Sequence, residues 1–88
     1  MDPLDRLAQA LGVEPATASE TAEILTIARD VAHTIERRIT PVSTYLIGMS
    51  VERRVADGAT RDEALAAALA DMRTVVPHAP EEPSRPAG

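Results

Sequence analysis

Between Arg29 and Arg38 the chain gathers Arg29, Asp30, His33, Glu36 and Arg37 within ten positions, RDVAHTIERR. These residue types could do two kinds of chemistry. An Asp and a His in reach of each other can move protons, provided that a pocket and a substrate hold the second reacting group. Arginines on one rigid face can make bidentate contacts to carboxylates or phosphates. The bland alternative is a solvated helix face, on which neighbours three and four apart exchange only a few tenths of a kcal/mol.

The spacing predicts how these residues are carried. At about 100° per residue, Ile24, Ile27, Ala28, Val31 and Ile35 fall on one side of a helix, widened by Leu25 and Ala32. His33 falls opposite them, and Arg29, Asp30, Glu36 and Arg37 flank it. The expectation is a continuous polar surface stripe, with Asp30, His33 and Arg37 as its chemical centre. A zinc site is not expected, because His33 has no second His at ligand spacing. No residue is assigned a catalytic role, and no cofactor is expected.

A drier helix follows. Val42, Tyr45, Leu46 and Met49 share one side; Ile47, Val51 and Val55 share the other, beside Thr44 and Gly48. A helix apolar on two sides is either central in its bundle or keeps one face for a partner. On the second reading Ile47, Val51 and Val55 form the partner face. Gly48 lowers helix stability relative to Ala, and its expected use is the close approach of another backbone. Ser43 and Ser50 raise the idea of an acyl-carrier attachment site, but neither lies in the Asp-Ser-Leu setting at a helix start that such carriers use.

The elements around these faces are helical. Asp2-Pro3-Leu4-Asp5 opens a short helix over about 3–11 that Gly12 ends. Thr17-x-x-Glu20 and Thr60-x-x-Glu63 are capping boxes that open helices over about 20–38 and 61–76. Thr40-Pro41 restarts the chain into a helix over about 41–57, which stops near Gly58. The fourth helix points Ala64, Leu65, Ala68, Leu69, Met72 and Val75 inward. The fold class is all-α: a small bundle of three main helices plus a short leading helix that must dock to survive. Residues 1–77 form one domain, and the Pro-rich stretch 78–88, with His78 in it, is expected to be disordered.

Composition supports this and narrows the function. The 88 residues include one Tyr, no Phe, no Trp and no Cys, so the core must be aliphatic and disulfides are excluded. The net charge of −5, with every base an Arg, argues against a nucleic-acid partner. No signal peptide or membrane span is legible, so the expected location is cytoplasmic, away from any membrane.

The stretch from Ala10 to Arg54, followed by GATRDEALAAALADM, resembles a small helical domain of unknown function from high-GC Gram-positive bacteria. Ala28–His33, Glu36–Arg38 and Thr40–Thr44 carry the likeness, which spans nearly all of residues 4–77. That domain occurs alone, or fused to the C-terminal side of nucleotidyltransferase domains of the molybdenum cofactor guanylyltransferase type. The resemblance implies an accessory role beside molybdenum-cofactor maturation and carries no site residues with it. This stretch has no Gly-rich nucleotide loop, so guanylyl transfer by the chain itself is not expected.

The reading that follows is a non-enzymatic interaction module. It docks on a protein, either a nucleotidyltransferase or other cofactor-maturation protein, or a second copy of itself as a homodimer. The alternative is a small anion- or nucleotide-binding or catalytic subunit working through Asp30, His33 and Arg37.

Overall fold

The computed structural model describes residues 1–80. Four α-helices are present, with no strand among the described residues: α1 (Pro3–Leu11), α2 (Ala18–Thr34), α3 (Thr40–Ala56) and α4 (Arg61–Arg73). A single 3-10 turn, Arg37–Ile39, leads into α3.

Local chemistry explains the helix starts. Asp2 accepts the Leu4 N–H, and Pro3 sits in the first turn of α1, where a missing N–H costs nothing. Both capping boxes are complete. Thr17 and Glu20 satisfy each other's backbone N–H at the head of α2, and Thr60 and Glu63 do so at α4. Gly12 closes α1 in the left-handed conformation, at φ 69°.

Three boundaries differ from the sequence expectation. α2 stops at Thr34, because Glu36 is extended (φ −162°, ψ 129°) and Thr34 turns its hydroxyl back to the Asp30 carbonyl. Thr40 does not cap α3; it is itself helical, and the 3-10 turn feeds the chain directly into Pro41. α4 ends at Arg73, and the residues after it run on without helix.

The core is aliphatic. Ile27 and Val31 from α2, Ile47 from α3, Leu65 and Ala68 from α4, and Val76 beyond it form one cluster, flanked by half-buried Ile24, Ile39, Val51, Leu69 and Met72. α3 packs on both α2 and α4 and is the central helix. The buried stripe of α2 is rotated from the expected one. It runs along Glu20, Ile27, Asp30 and Val31 and leaves Leu25 and Ile35 exposed. Val75 also faces out, and Val76 takes the inward place.

The chain beyond α4 continues along α2 through residue 80. Ala79 is buried and Arg29 donates to the Pro80 carbonyl, while the His78 side chain stays exposed. Residues 81–88 of the expected disordered tail lie outside the described residues.

Trimming the core at Leu65→Ala should cost about 2–4 kcal/mol, because a tight aliphatic cluster has no spare side chain to fill the gap. Leu25→Ala, on the exposed side of α2, should stay within about 0.5 kcal/mol. Urea unfolding followed by circular dichroism checks both.

Candidate functional site

The polar cluster does not form one surface, and Glu36 and Arg37 lie beyond the end of α2. Asp30 is turned inward, with its side chain only 3 % exposed. On the helix wheel it lies about 60° from Ile27, at the edge of the buried stripe. It is buried there because the chain after α4 lies over it. The Ala79 N–H donates to Asp30 Oδ1 (3.1 Å), and Arg73 Nη1 faces Asp30 Oδ2 at 2.7 Å. Oδ2 and Nη1 are both buried with no other hydrogen-bond partner, so the attraction between their charges compensates their burial. His78 Nδ1 lies 3.7 Å from the same oxygen. Burial alone would raise the pKa of Asp30. The Ala79 N–H, the Arg73 guanidinium and the nearby His78 outweigh it and hold the carboxyl below its ordinary value.

The rest of the cluster is outside and dispersed. His33 and Arg37 are exposed, Glu36 pairs with Arg38 at 3.1 Å, and Arg29 reaches the Pro80 carbonyl at 3.2 Å. The expected grouping of Asp30 with His33 and Arg37 is therefore corrected. Asp30 spends both carboxylate oxygens on Ala79 and Arg73 and has none left to orient His33. Among the described residues no group of three or more His, Asp or Glu could hold a metal ion.

A second buried carboxylate does similar structural work. Glu20 accepts the Thr17 N–H at 2.8 Å and meets Arg61 Nε at 2.6 Å. The Thr17 backbone bond is the largest influence on its pKa. With Arg61 it overcomes the opposing effect of burial and lowers the pKa. Arg61 also reaches Glu14 (3.2 Å) and the Pro15 carbonyl (3.0 Å), so one guanidinium ties the α1–α2 connector to the head of α4. Its sequence signal was the capping box, which placed Glu20 correctly but did not disclose its long-range partner.

On α3 the two apolar sides take opposite roles from those in the partner-face reading. Ile47 is a core residue and Val51 packs against the core, so the three do not form an exposed helix face; Val55 alone of the three is exposed. The open side is Val42, Tyr45, Leu46 and Met49, each more than half exposed. Their spacing of three, four and seven makes a straight seam along one helix. Leu46 also lines a cleft with Met72 and Val75, which extends the apolar patch onto α4.

Ile47, Val51 and Val55 do come together as one wall of a groove. Ile24 and Leu65 add to its apolar lining, Gly48 lies in it, and Glu20, Glu52 and Arg61 are among its polar members. Its volume is about 690 Å³. A Cβ placed on Gly48 would meet nothing within 4 Å, so no backbone among the described residues makes the expected close approach. Ser43 is buried with its hydroxyl donated to the Thr40 carbonyl at 2.7 Å, so it is not presented at the surface for a carrier's prosthetic arm. No helix is long and apolar enough to cross a membrane among the described residues.

Residues 3–86 match the family described as Domain of unknown function (DUF6457), and the chain belongs to it. No curated protein and no solved structure matches the chain.

Asp30→Ala should destabilise the fold by about 3 kcal/mol, because it strands the Arg73 charge and the Ala79 N–H. His33→Ala should change stability by less than about 0.5 kcal/mol. Thermal melts of the two variants separate a structural Asp from a catalytic pair. The pH dependence has a definite sign. Asp30 and Glu20 have lowered folded pKa values, so their contributions are complete above the unfolded values of about 3.9 and 4.3. Those contributions are lost as pH falls through the folded values. Melting temperature should therefore drop on acidification below about pH 4, with a shallower drop in Asp30→Asn.

Proposed function

Taking membership of that family as the starting point, we propose that this chain is a non-enzymatic helical interaction module that works by docking on a protein partner. The observation that carries the reading is the seam of Val42, Tyr45, Leu46 and Met49, left open on the central helix of a domain whose core is small and aliphatic. Contiguous exposed apolar surface on so small a domain costs solubility and is the usual mark of an interaction site. A central Tyr suits such a site, since its ring gives contact area and its hydroxyl stays near water.

The partner we propose is a nucleotidyltransferase of the molybdenum cofactor guanylyltransferase type, or another protein of cofactor maturation in the cytoplasm. That choice rests on the resemblance described above. The proposed role is accessory: to position or recruit such an enzyme. The catalytic alternative loses its acid–base pair when Asp30 is engaged by Arg73 and Ala79. The proposed partner is a protein in preference to a nucleic acid, in keeping with the net charge of −5.

The test is affinity capture from the native host with the tagged chain and two variants. Tyr45→Ser with Leu46→Ser should lose the partner by tenfold or more while keeping its melting temperature, because both side chains are exposed. Arg29→Ala, His33→Ala and Arg37→Ala together should retain it. The reverse pattern would move the interface to the polar face of α2 and overturn the proposal.

A further inference from the structure

We propose that the groove formed by α2, α3 and α4 is the seat for helix α1 of a second copy of this chain, so that two copies exchange α1 reciprocally. This concerns a different surface from the α3 seam and does not rest on the docking reading.

The first observation is an unsatisfied helix. α1 has nine residues and carries Leu4, Leu7 and Leu11 on one side. They are 53 %, 60 % and 75 % exposed, and Ala8 is the only residue of α1 that is buried. A helix this short is marginal in water unless its apolar face is covered. α1 packs only weakly on the other helices of its own chain.

The second observation is an unfilled receptor. Half-buried Ile24 and Val51 and exposed Val55 line the groove together with the buried core residues Ile47 and Leu65, and no residue of Pro3–Leu11 lines it. Gly48 lies there, in mid-helix, with open space where a Cβ would project. Gly is a poor choice in mid-helix, and none of the described residues uses the room beside it. Room beside a helix backbone suits another helix coming close, as it does where small residues line helix–helix contacts.

The third observation decides whose α1 enters. The connector borders the groove through Gly12, Val13, Glu14 and Ala16. Arg61 anchors it at Glu14 and Pro15. The closing turn of α1 is fixed by the Gly12 N–H on the Gln9 carbonyl and the Val13 N–H on the Ala8 carbonyl. The connector is thus held at both ends with α1 outside its own groove. Every copy carries one leucine stripe and one groove, and a reciprocal exchange satisfies both and closes with two-fold symmetry. Reciprocity also counts each contact twice, which is how a short helix can approach the roughly 800 Å² per partner of stable interfaces.

The experiment is light scattering behind size exclusion on the full-length chain over a hundredfold range of concentration. Two variants run beside it, each checked by circular dichroism. The expected result is a dimer for the wild type. Leu7→Asp, which places a charge in the middle of the stripe, should be monomeric with its helix content otherwise kept. Gly48→Met, which fills the groove from within and favours the helix, should be monomeric with an unchanged or higher melting temperature. Tyr45→Ser with Leu46→Ser should remain dimeric, which keeps this test separate from the docking reading. A wild type that is monomeric at every concentration overturns the exchange. So does a dimer that survives either Leu7→Asp or Gly48→Met, or one that Tyr45→Ser with Leu46→Ser dissolves.

Discussion

The contact between Asp30 and Arg73 holds together parts of the chain that hydrophobic packing alone would join loosely. The core contains no aromatic ring, and its largest fully buried side chains are Ile27 and Val31. A cluster of that size needs its edges fixed. Asp30 fixes one edge by drawing the end of α4 and the following chain onto α2, through a 2.7 Å ion pair and the Ala79 N–H. Val76, between those two anchors, is thereby set into the core. Glu20 and Arg61 fix the opposite edge, at the heads of α2 and α4. Two buried carboxylates, one at each end of α2, thus set how the helices meet. The Asp30 pair is the costlier to break, because the buried Nη1 of Arg73 would be left uncompensated, whereas Arg61 is partly exposed and keeps Glu14.

This use of polar residues redirects the functional reading. A carboxylate enclosed by a guanidinium and a backbone N–H is not free to work as a base beside His33. The apolar surfaces that the fold leaves available are a seam on α3, a groove behind it, and a leading helix with its leucines in water. A domain this small can keep such surfaces exposed because ion pairs and capping boxes carry part of the work of holding the helices in place. Surfaces of that kind suit contact with other helices better than chemistry on a small molecule.

Much of the fold was legible in the sequence, because it was written locally. Both capping boxes, the Pro3 start, the Gly12 stop and the four helices follow from short-range rules. The end of α2 was not, since it depends on Thr34 bonding back to Asp30 and on an extended Glu36, and neither leaves a mark in hydrophobic periodicity. The site was legible only as residue types. A helix wheel shows which residues share a side, but it cannot say which side a distant segment will cover. Asp30 looked solvated because its cover, Arg73 and Ala79, comes from more than forty positions later. For the same reason the two apolar sides of α3 could not be ranked until α2 and α4 were seen to lie against Ile47 and Val51.

The most direct measurement is an NMR titration of the isotope-labelled chain with the partner captured from its host. The central claim is that the open seam of α3 is the working surface and that Asp30 is structural. It predicts shifts and line broadening confined to Val42, Tyr45, Leu46 and Met49 and their neighbours on α4, with the amides around Asp30 unmoved. Perturbation centred on His33 and Arg37, with the seam silent, would contradict it.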